Sequence, residues 1–502
     1  MKDNPNGGGR LVVVSNRLPL ALRREGDTWR FEAGSGGLVS ALGPVLKDRG
    51  GIWVGWPGNR EPIERNLLRH ILGPISKSSG YRLIPVTLEA EEVKDYYEGF
   101  ANASIWPLFH DLQTECLFYP RFWEAYRAVN SRFARVVSRH SRHEDFIWVH
   151  DYHLMNLALE LKKKDRERRC AFFLHIPFPP PDIFLKLPWR YEVMEALAAF
   201  DFVGFQTLRD RQNFQACLRA FWPSSRIRGR GPVVRISRDE GDVIAGALPI
   251  SIDYGHFETL ARSEMARETQ KALRQTHGDR KIYLGVDRLD YTKGVLQRLE
   301  AYERTLEQNE ELREKVVFVQ ILVPSREGVG AYSRLRDEIA QTVSRINGRF
   351  ATTGWVPLIF FFRSLPPEEL AGFYRAADVA VVTPLRDGMN LVAKEYCTCQ
   401  LDNDGILILS EFAGAAGQLA QGALLVNPHD IEGLSKVLKE AFFMDLKDRR
   451  KRMRRLRQIV KRRDIFWWVD NFLRAAAGKA LRDFPPGDLA PLLPQPLERH
   501  LS

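Results

Sequence analysis

Nowhere in the 502 residues does an uninterrupted apolar stretch approach the roughly 18–20 residues that cross a bilayer. The opening MKDNPNGGGR has no apolar core ahead of the first strand-like run, so it lacks the pattern of a secretory signal. Cysteine is scarce and odd in number: Cys116, Cys170, Cys217, Cys397 and Cys399. The one close pair, Cys397 and Cys399, has no second pair or neighbouring His to complete a zinc site, and two residues apart on a helix the thiols diverge. No internal repeat or low-complexity block is present. These absences argue against a membrane-spanning chain, a disulfide scaffold and a zinc module, and they fit a reduced cytoplasmic setting. Hydrophobic residues at 44% and charged residues at 27% are the proportions of a globular protein. At this length two to four domains are expected.

Basic residues outnumber acidic ones, 74 to 63, for a formal net charge of +11. The excess is local. Residues 447–463 contain eleven Lys or Arg and one Asp. Most of the chain is therefore near neutral, unlike a nucleic-acid binder with basic residues spread along a face. Met453, Leu456, Ile459 and Val460 recur at helical spacing inside this segment, which predicts an amphipathic helix with a basic outer face. A solvated helix surface accounts for such a run, and a polyanion or subunit contact is the alternative.

Short runs rich in β-branched and aromatic residues alternate with helical stretches. Strands are predicted at Leu11–Ser15, Phe146–His150, Ala171–His175, Phe202–Phe205, Lys281–Val286, Val316–Val323, Val379–Thr383, Ile406–Ser410 and Leu424–Asn427. Continuous rather than alternating apolar character implies strands covered on both faces, as in a parallel sheet. The intervening patterns at Asn156–Lys164, Tyr332–Ile346 and Ile431–Phe442 are helical. The βαβ rhythm predicts a doubly wound α/β architecture. A seam near residue 250, before a polar helical segment and a fresh strand at Lys281, divides the chain into two such halves. The proline-rich end from Phe484 onward reads as a loosely held tail.

Ligands of open parallel sheets bind at the carboxyl ends of the strands, and polar clusters sit there. Arg17 closes the first strand and is followed by Gly34-Ser35-Gly36-Gly37. A guanidinium fork with a loop of approachable amides suits phosphate, although a plain turn explains the glycines equally well. Tyr96, Tyr97 and Trp106 are candidate walls for a sugar ring, with a core role as the alternative. His150, Asp151 and His153 end one strand and His175 the next. A metal site lacks a matching carboxylate motif, so hydrogen bonding of hydroxyls by Asp151 is preferred. In the second half, Arg288 and Lys293 straddle a turn and can both address one diphosphate, stabilising it as a leaving group. Arg326 closes a further strand. Asp387 and Glu395 flank the segment Gly388-Met389-Asn390-Leu391-Val392, whose amides at a helix start favour an anion. The pattern predicts two anionic ligands held in one cleft.

The collinear segments SNR…GSGG, YYEGFANASIWP, WVHDYHL, FFLHIPFP, GFQT, GVDRLDYTKG, PSR, NGRF and TPLRDGMNLVAKEY followed by SEFAGAA resemble the trehalose-6-phosphate synthase family, retaining glycosyltransferases of family 20. The similarity runs from about Leu11 to about Asn427. It implies a GT-B fold, two Rossmann-like doubly wound α/β domains facing a central cleft. Residues 1–250 would form the acceptor domain, 251–465 the donor domain, and 466–502 a helix crossing back to the first domain with the tail. The implied reaction transfers glucose from UDP-glucose to glucose 6-phosphate with retention, giving trehalose 6-phosphate and UDP. No metal or other cofactor, nucleic acid or membrane partner is implied, and oligomeric state is left open.

By the resemblance, Arg17, Tyr97 and Arg326 hold the acceptor phosphate, Trp106 and Asp151 position its ring, and Ile176 shapes the pocket. Gly36 and Gly37 close over the donor. Arg288 and Lys293 grip its diphosphate, Asp387 contacts the transferred glucose, Glu395 the ribose, and Phe362 the uracil. The amides of Gly388, Met389, Asn390, Leu391 and Val392 complete the donor site. Arg288, Lys293, Asp151 and His175 are the candidate catalytic residues. A glycerol 3-phosphate acceptor, a cyclitol-coupling relative and a catalytically silent sugar-phosphate sensor are the alternatives. The donor-site charges that a silent sensor would have lost are all present.

Overall fold

The continuous apolar runs form central strands because helices cover both of their faces, as Phe146–His150 and Val316–Val323 illustrate. The computed structural model describes residues 9–482 and 484, apart from 26–27, 34–36, 60, 62, 164, 166, 230 and 326–329. The described residues fall into two compact units. One runs to Ile250 and resumes over Ile465–Phe484, and the other runs from Ser251 to Asp464.

The first unit contains β1 (Leu11–Arg17), β2 (Leu20–Glu25), β3 (Thr28–Ala33), β4 (Ile52–Trp56), β5 (Arg82–Pro85), β6 (Phe146–His150), β7 (Cys170–Phe173), β8 (Phe202–Phe205), β9 (Arg226–Arg228), β10 (Val233–Arg238) and β11 (Gly241–Ala247). Nine of these form one sheet in the order β5-β4-β1-β6-β7-β8-β11-β10-β9, and β2 and β3 pair separately. From β5 to β11 every pairing is parallel, while β10 runs antiparallel to β9 and β11. The strand order reverses between β1 and β6, where Ser15 lies opposite His150. Such a reversal opens a crevice at the strand ends.

A late segment completes this unit's core. The Ile465–Ala476 helix lays Trp468 and Phe472 against Trp148, with ring centroids 5.1 and 4.2 Å apart. The Trp468 indole N–H donates to Leu248 O at 2.9 Å. Gly204 on β8 makes room, since a Cβ there would press on the rings of Phe173 and Phe472.

The second unit contains β12 (Lys281–Arg288), β13 (Val316–Val323), β14 (Leu358–Phe362), β15 (Val379–Val382), β16 (Ile406–Ser410) and β17 (Leu424–Val426). All pairings are parallel, in the order β14-β13-β12-β15-β16-β17. This is the Rossmann order, and it reverses between β12 and β15. Phe318 and Leu322 of β13, Leu299 and Tyr302 of the Val295–Gln308 helix, and Val379 and Val381 of β15 share one core.

Several expectations shift by a few residues. The strand expected at Ala171–His175 ends at Phe173, which leaves His175 in the following loop. The strand from Lys281 continues to Arg288. The basic helix spans Leu446–Arg462 and buries Met453, Leu456 and Val460. Its basic residues do not all face outward: Arg457 donates to Glu258 and Tyr254, and Arg449 pairs with Asp404. Two elongated cations on the inner face thus anchor the helix by bonds at their tips while their stems pack. The proline-rich segment beyond 484 lies outside the described residues.

Candidate functional site

At the first unit's reversal point, Arg17 is the last residue of β1. Its guanidinium lies 4.0 Å from the centroid of Trp56, which ends β4, and 5.5 Å from that of Tyr97. Both aromatic faces attract the cation without neutralising it. Gly58 permits this placement, because a Cβ there would overlap the Arg17 Nη1 atom. Tyr97 stacks on His153 at 5.8 Å, and the Asn102 amide donates to Tyr97 O at 2.7 Å. Tyr97 and Asn102 belong to Val93–Ile105, a stretch of π-helix. That wound-out geometry is rare and concentrates at functional sites.

Tyr96, a candidate sugar wall, is instead fully buried, and its hydroxyl donates to Asn16 Oδ1 at 2.9 Å. Trp106 is also largely buried, against His110 and Tyr152.

Asp151 follows β6 with φ +74°, a left-handed conformation that costs a non-glycine residue energy and aims its side chain along the strand ends. Its Oδ1 accepts from the His175 backbone N–H at 3.1 Å, so adjacent strand ends are tied together. His150 Nδ1 and His175 Nε2 are 3.1 Å apart, a distance that requires one shared proton between two rings. Burial pushes His175 down to about 3, and burial together with His175 holds His150 well below the usual histidine range. Both imidazoles are therefore neutral at physiological pH. Ile176 is buried next to this pair.

At the second unit's reversal point the groups are charged. Arg288 ends β12, is exposed, and has no hydrogen-bond or ion-pair partner among the described residues. Lys293 Nζ sits 2.6 Å from Asp387 Oδ2 in a mostly buried pair. The Asn390 amide donates to the same oxygen at 3.2 Å. Asn390 adopts φ +74° directly before the Leu391–Cys399 helix, and its side chain makes no capping bond. The first amides of that helix lack intrahelical acceptors. Gly388 and Met389 are held by the next segment, since Ala415 N–H donates to Met389 O at 2.8 Å. Leu391 and Val392 begin the helix. One cation with its counter-ion, one cation unpartnered among the described residues and the amides at a helix start make a basin for a diphosphate.

Glu395 lies one turn along the same helix and accepts from the Tyr374 hydroxyl at 2.9 Å. Burial raises its carboxyl to about 7 despite that bond. Phe362 ends β14, half-buried and 6.4 Å from the ring of Phe360. Gly36 and Arg326 lie outside the described residues, and Gly37 begins the Gly37–Arg49 helix. Among the described residues no group of three or more His, Cys, Asp or Glu could hold a metal ion, and no helix is long and apolar enough to cross a membrane.

The residue that organises the second basin was not anticipated. Arg298 is fully buried beneath it. Its guanidinium donates to Asp287 Oδ2 at 2.6 Å, Thr383 Oγ1 at 2.9 Å, Gln320 Oε1 at 3.0 Å and Lys293 O at 3.3 Å. It thereby joins β12, β13, the end of β15 and the Lys293 turn. A signal was available: Arg298 falls in the stripe Val295, Leu299, Tyr302, Leu306, where a charge at an apolar position needs buried partners.

Gly294 turns the chain from Lys293 into the Val295–Gln308 helix with φ +62°, and a Cβ would overlap Thr383 O. We expect Gly294→Ala to cost about 1–3 kcal/mol, read as a lower urea midpoint. An unchanged midpoint would show that the turn relaxes freely.

The family model of glycosyltransferase family 20 matches residues 9–477. The trehalose-6-phosphate synthase of Mycolicibacterium vanbaalenii is 42% identical over 480 residues, covering 94% of this chain and 97% of the relative. The chain is similar to a UDP-forming alpha,alpha-trehalose-phosphate synthase from Burkholderia xenovorans solved in complex with glucose-6-phosphate. That similarity has a TM-score of 0.83 and 36% identity, and it covers 93% of this chain and 100% of that one. An E. coli structure bound with UDP-2-fluoro glucose has a TM-score of 0.82 and 33% identity, covering 94% of this chain and 100% of that one.

Proposed function

The chain belongs to glycosyltransferase family 20, and from that premise we propose that it is a trehalose-6-phosphate synthase. It transfers glucose from UDP-glucose to glucose 6-phosphate with retention, releasing UDP. The observation that carries this reading is the basin at the second reversal point, where Lys293 pairs with Asp387 beside Arg288, unpartnered among the described residues, and the open helix start. Supporting it are the curated relatives and the two ligands held by the solved neighbours.

In this reading the first basin takes the acceptor. Arg17 and Tyr97, with Arg326, receive its phosphate, while Trp106, Asp151 and Ile176 shape the sugar pocket. The second basin takes the donor. Arg288 and Lys293 hold its diphosphate, with the amides of the 388–392 segment and Gly36 and Gly37. Asp387, released in part from Lys293 by the incoming phosphates, turns to the glucose hydroxyls. Glu395 accepts from the ribose and Phe362 lies on the base side.

The proton inventory narrows the chemistry. Neutral His175 has no proton to spare at physiological pH, since its imidazolium is disfavoured down to about 3. It serves instead as a fixed dipole beside the reacting sugar. The acceptor hydroxyl then passes its proton to a leaving-group phosphate oxygen as the glycosidic bond forms on the face the diphosphate vacates. Arg288 and Lys293 stabilise the charge that accumulates as the C–O bond breaks. Incubating the protein with UDP-glucose and glucose 6-phosphate should release UDP and a phosphorylated disaccharide in equal amounts. UDP release with glycerol 3-phosphate alone would overturn the acceptor assignment.

Glu395 gives this reading a pH signature. With its carboxyl raised to about 7, it is mostly protonated at pH 6 and mostly ionised at pH 8. Only the carboxylate accepts hydrogen bonds from two ribose hydroxyls. UDP-glucose should therefore bind about tenfold more tightly at pH 8 than at pH 6, following the ionised fraction. Calorimetric titration at the two pH values measures this, and Glu395→Gln should flatten it. A wild-type affinity that does not vary would remove Glu395 from the ribose contact.

A further inference from the structure

A second basic cavity lies in the first unit at the edge strand of the sheet. Its walls are the Arg65–Ser79 helix, the edge strand β5 with the segment after it, and the Pro120–His140 helix. Its volume is about 750 Å³, within the range that encloses a small ligand. Arg69, Arg82, Arg135 and Arg139 line it from three different elements. Among the described residues none of their four guanidinium groups has a hydrogen-bond or ion-pair partner.

The contrast with Arg132 in the same cavity is informative. Its guanidinium grips both Glu92 carboxylate oxygens at 2.6 Å and donates to Thr87 O at 2.9 Å. That cation is spent on holding the wall. Among the described residues the only carboxylate lining the cavity, Glu89, is already engaged in a reciprocal cap with Glu92. Four like charges converging with no counter-ion among the described residues repel one another, so a bound anion would relieve a cost already present. The convergence is felt by His140, whose affinity for a proton is lowered by burial and then by Arg82, Arg139 and Arg69. Beneath the charged rim the floor is apolar, made by Leu72, Leu83 and Val136.

We infer that this cavity binds a small phosphorylated molecule, its phosphate groups held by Arg69, Arg82, Arg135 and Arg139 and its uncharged part resting on Leu72, Leu83 and Val136. Guanidinium forks on three elements suit an anion with several oxygens better than a single carboxylate. The site is separate from both basins described above, because Arg17, Asp151, Arg288 and Lys293 take no part in its lining. It does not depend on the proposed reaction.

Inorganic pyrophosphate is the probe. Calorimetric titration of the full chain should show a binding component that weakens roughly tenfold or more in Arg135→Gln/Arg139→Gln, because each lost contact is charge-assisted. Arg82→Gln, on a different element, should weaken the same component. All three positions are exposed, so thermal unfolding should be little changed and the loss attributable to charge. Any component from the strand-end basins should persist in these variants. No detectable binding by the wild type, or an isotherm unaltered in both variants, would overturn the assignment.

Discussion

Replacing Arg288 by alanine should lower turnover by about a hundredfold or more, the usual cost of removing one preorganised donor at a developing negative charge. The expectation follows from the division of labour between two cations. Lys293 is already compensated by Asp387 at 2.6 Å, so its field at the diphosphate is partly cancelled before the reaction begins. Arg288 is exposed at the end of β12 and has no counter-ion among the described residues. Its charge is available in full as the bond to the leaving oxygen stretches. The interaction strengthens in the transition state, so kcat should fall further than KM for UDP-glucose rises. Arg288→Lys should recover part of the loss by restoring charge without the planar fork. Steady-state kinetics with varied donor measures both. Turnover within a fewfold of wild type in Arg288→Ala would place the leaving-group stabilisation elsewhere.

The second large effect is on stability. Arg298→Ala should destabilise the second unit by about 3–5 kcal/mol, the range for breaking a buried ion pair by removing one partner. The side chains of Arg298 and Asp287 are almost wholly inaccessible. Burial already pushes the Asp287 carboxyl upward, and Arg298 opposes that shift through its charge and its hydrogen bond. Without the arginine the carboxyl rises further and takes up a proton in the folded state. The unfolded chain still releases that proton near the ordinary carboxylate range. Over the interval between those two values, folding binds a proton, so stability falls as pH rises. The deficit of the variant relative to wild type should therefore be larger at pH 8 than at pH 5. Urea unfolding followed by a probe in the second unit would measure it. A deficit that shrinks toward high pH would contradict the assigned role of Asp287. Exposed Arg304, in the same helix, should tolerate alanine with little change.

Sequence patterns captured β1, β6, β7, β8, β12, β13, β15, β16 and β17, which flank both sheet reversals, and missed β5 and β14 at the sheet edges and also β4, an interior strand buried throughout. Phe146–His150 and Val316–Val323 are continuous apolar runs, and burial on both faces leaves such runs no polar interruption. β9 and β10 lie beyond the parallel core, and their exposed Arg226, Arg228 and Arg235 break the apolar signal. The π-helical stretch Val93–Ile105 cannot be seen with a 3.6-residue template, because its period is longer. For the candidate site, the strand-end rule placed Arg17, Asp151, Arg288, Lys293 and Asp387 beside two sheet reversals. The roles of Trp56 under Arg17 and Tyr374 against Glu395 were not legible, since each is a contact between segments distant in sequence. Arg298 was similarly hidden: local sequence identifies an arginine in a helix, and only packing makes it a buried hub.

The return of the Ile465–Ala476 helix to the first unit sets an order of events during synthesis. A ribosome delivers β1 to β11 early, yet Trp148 and Phe173 receive Trp468 and Phe472 only after the whole second unit has been made. The first unit's sheet must wait, with an aromatic face uncovered, until residues 465–476 have been translated. A nascent chain halted after Asp464 would carry a finished second unit and an adhesive, incomplete first one.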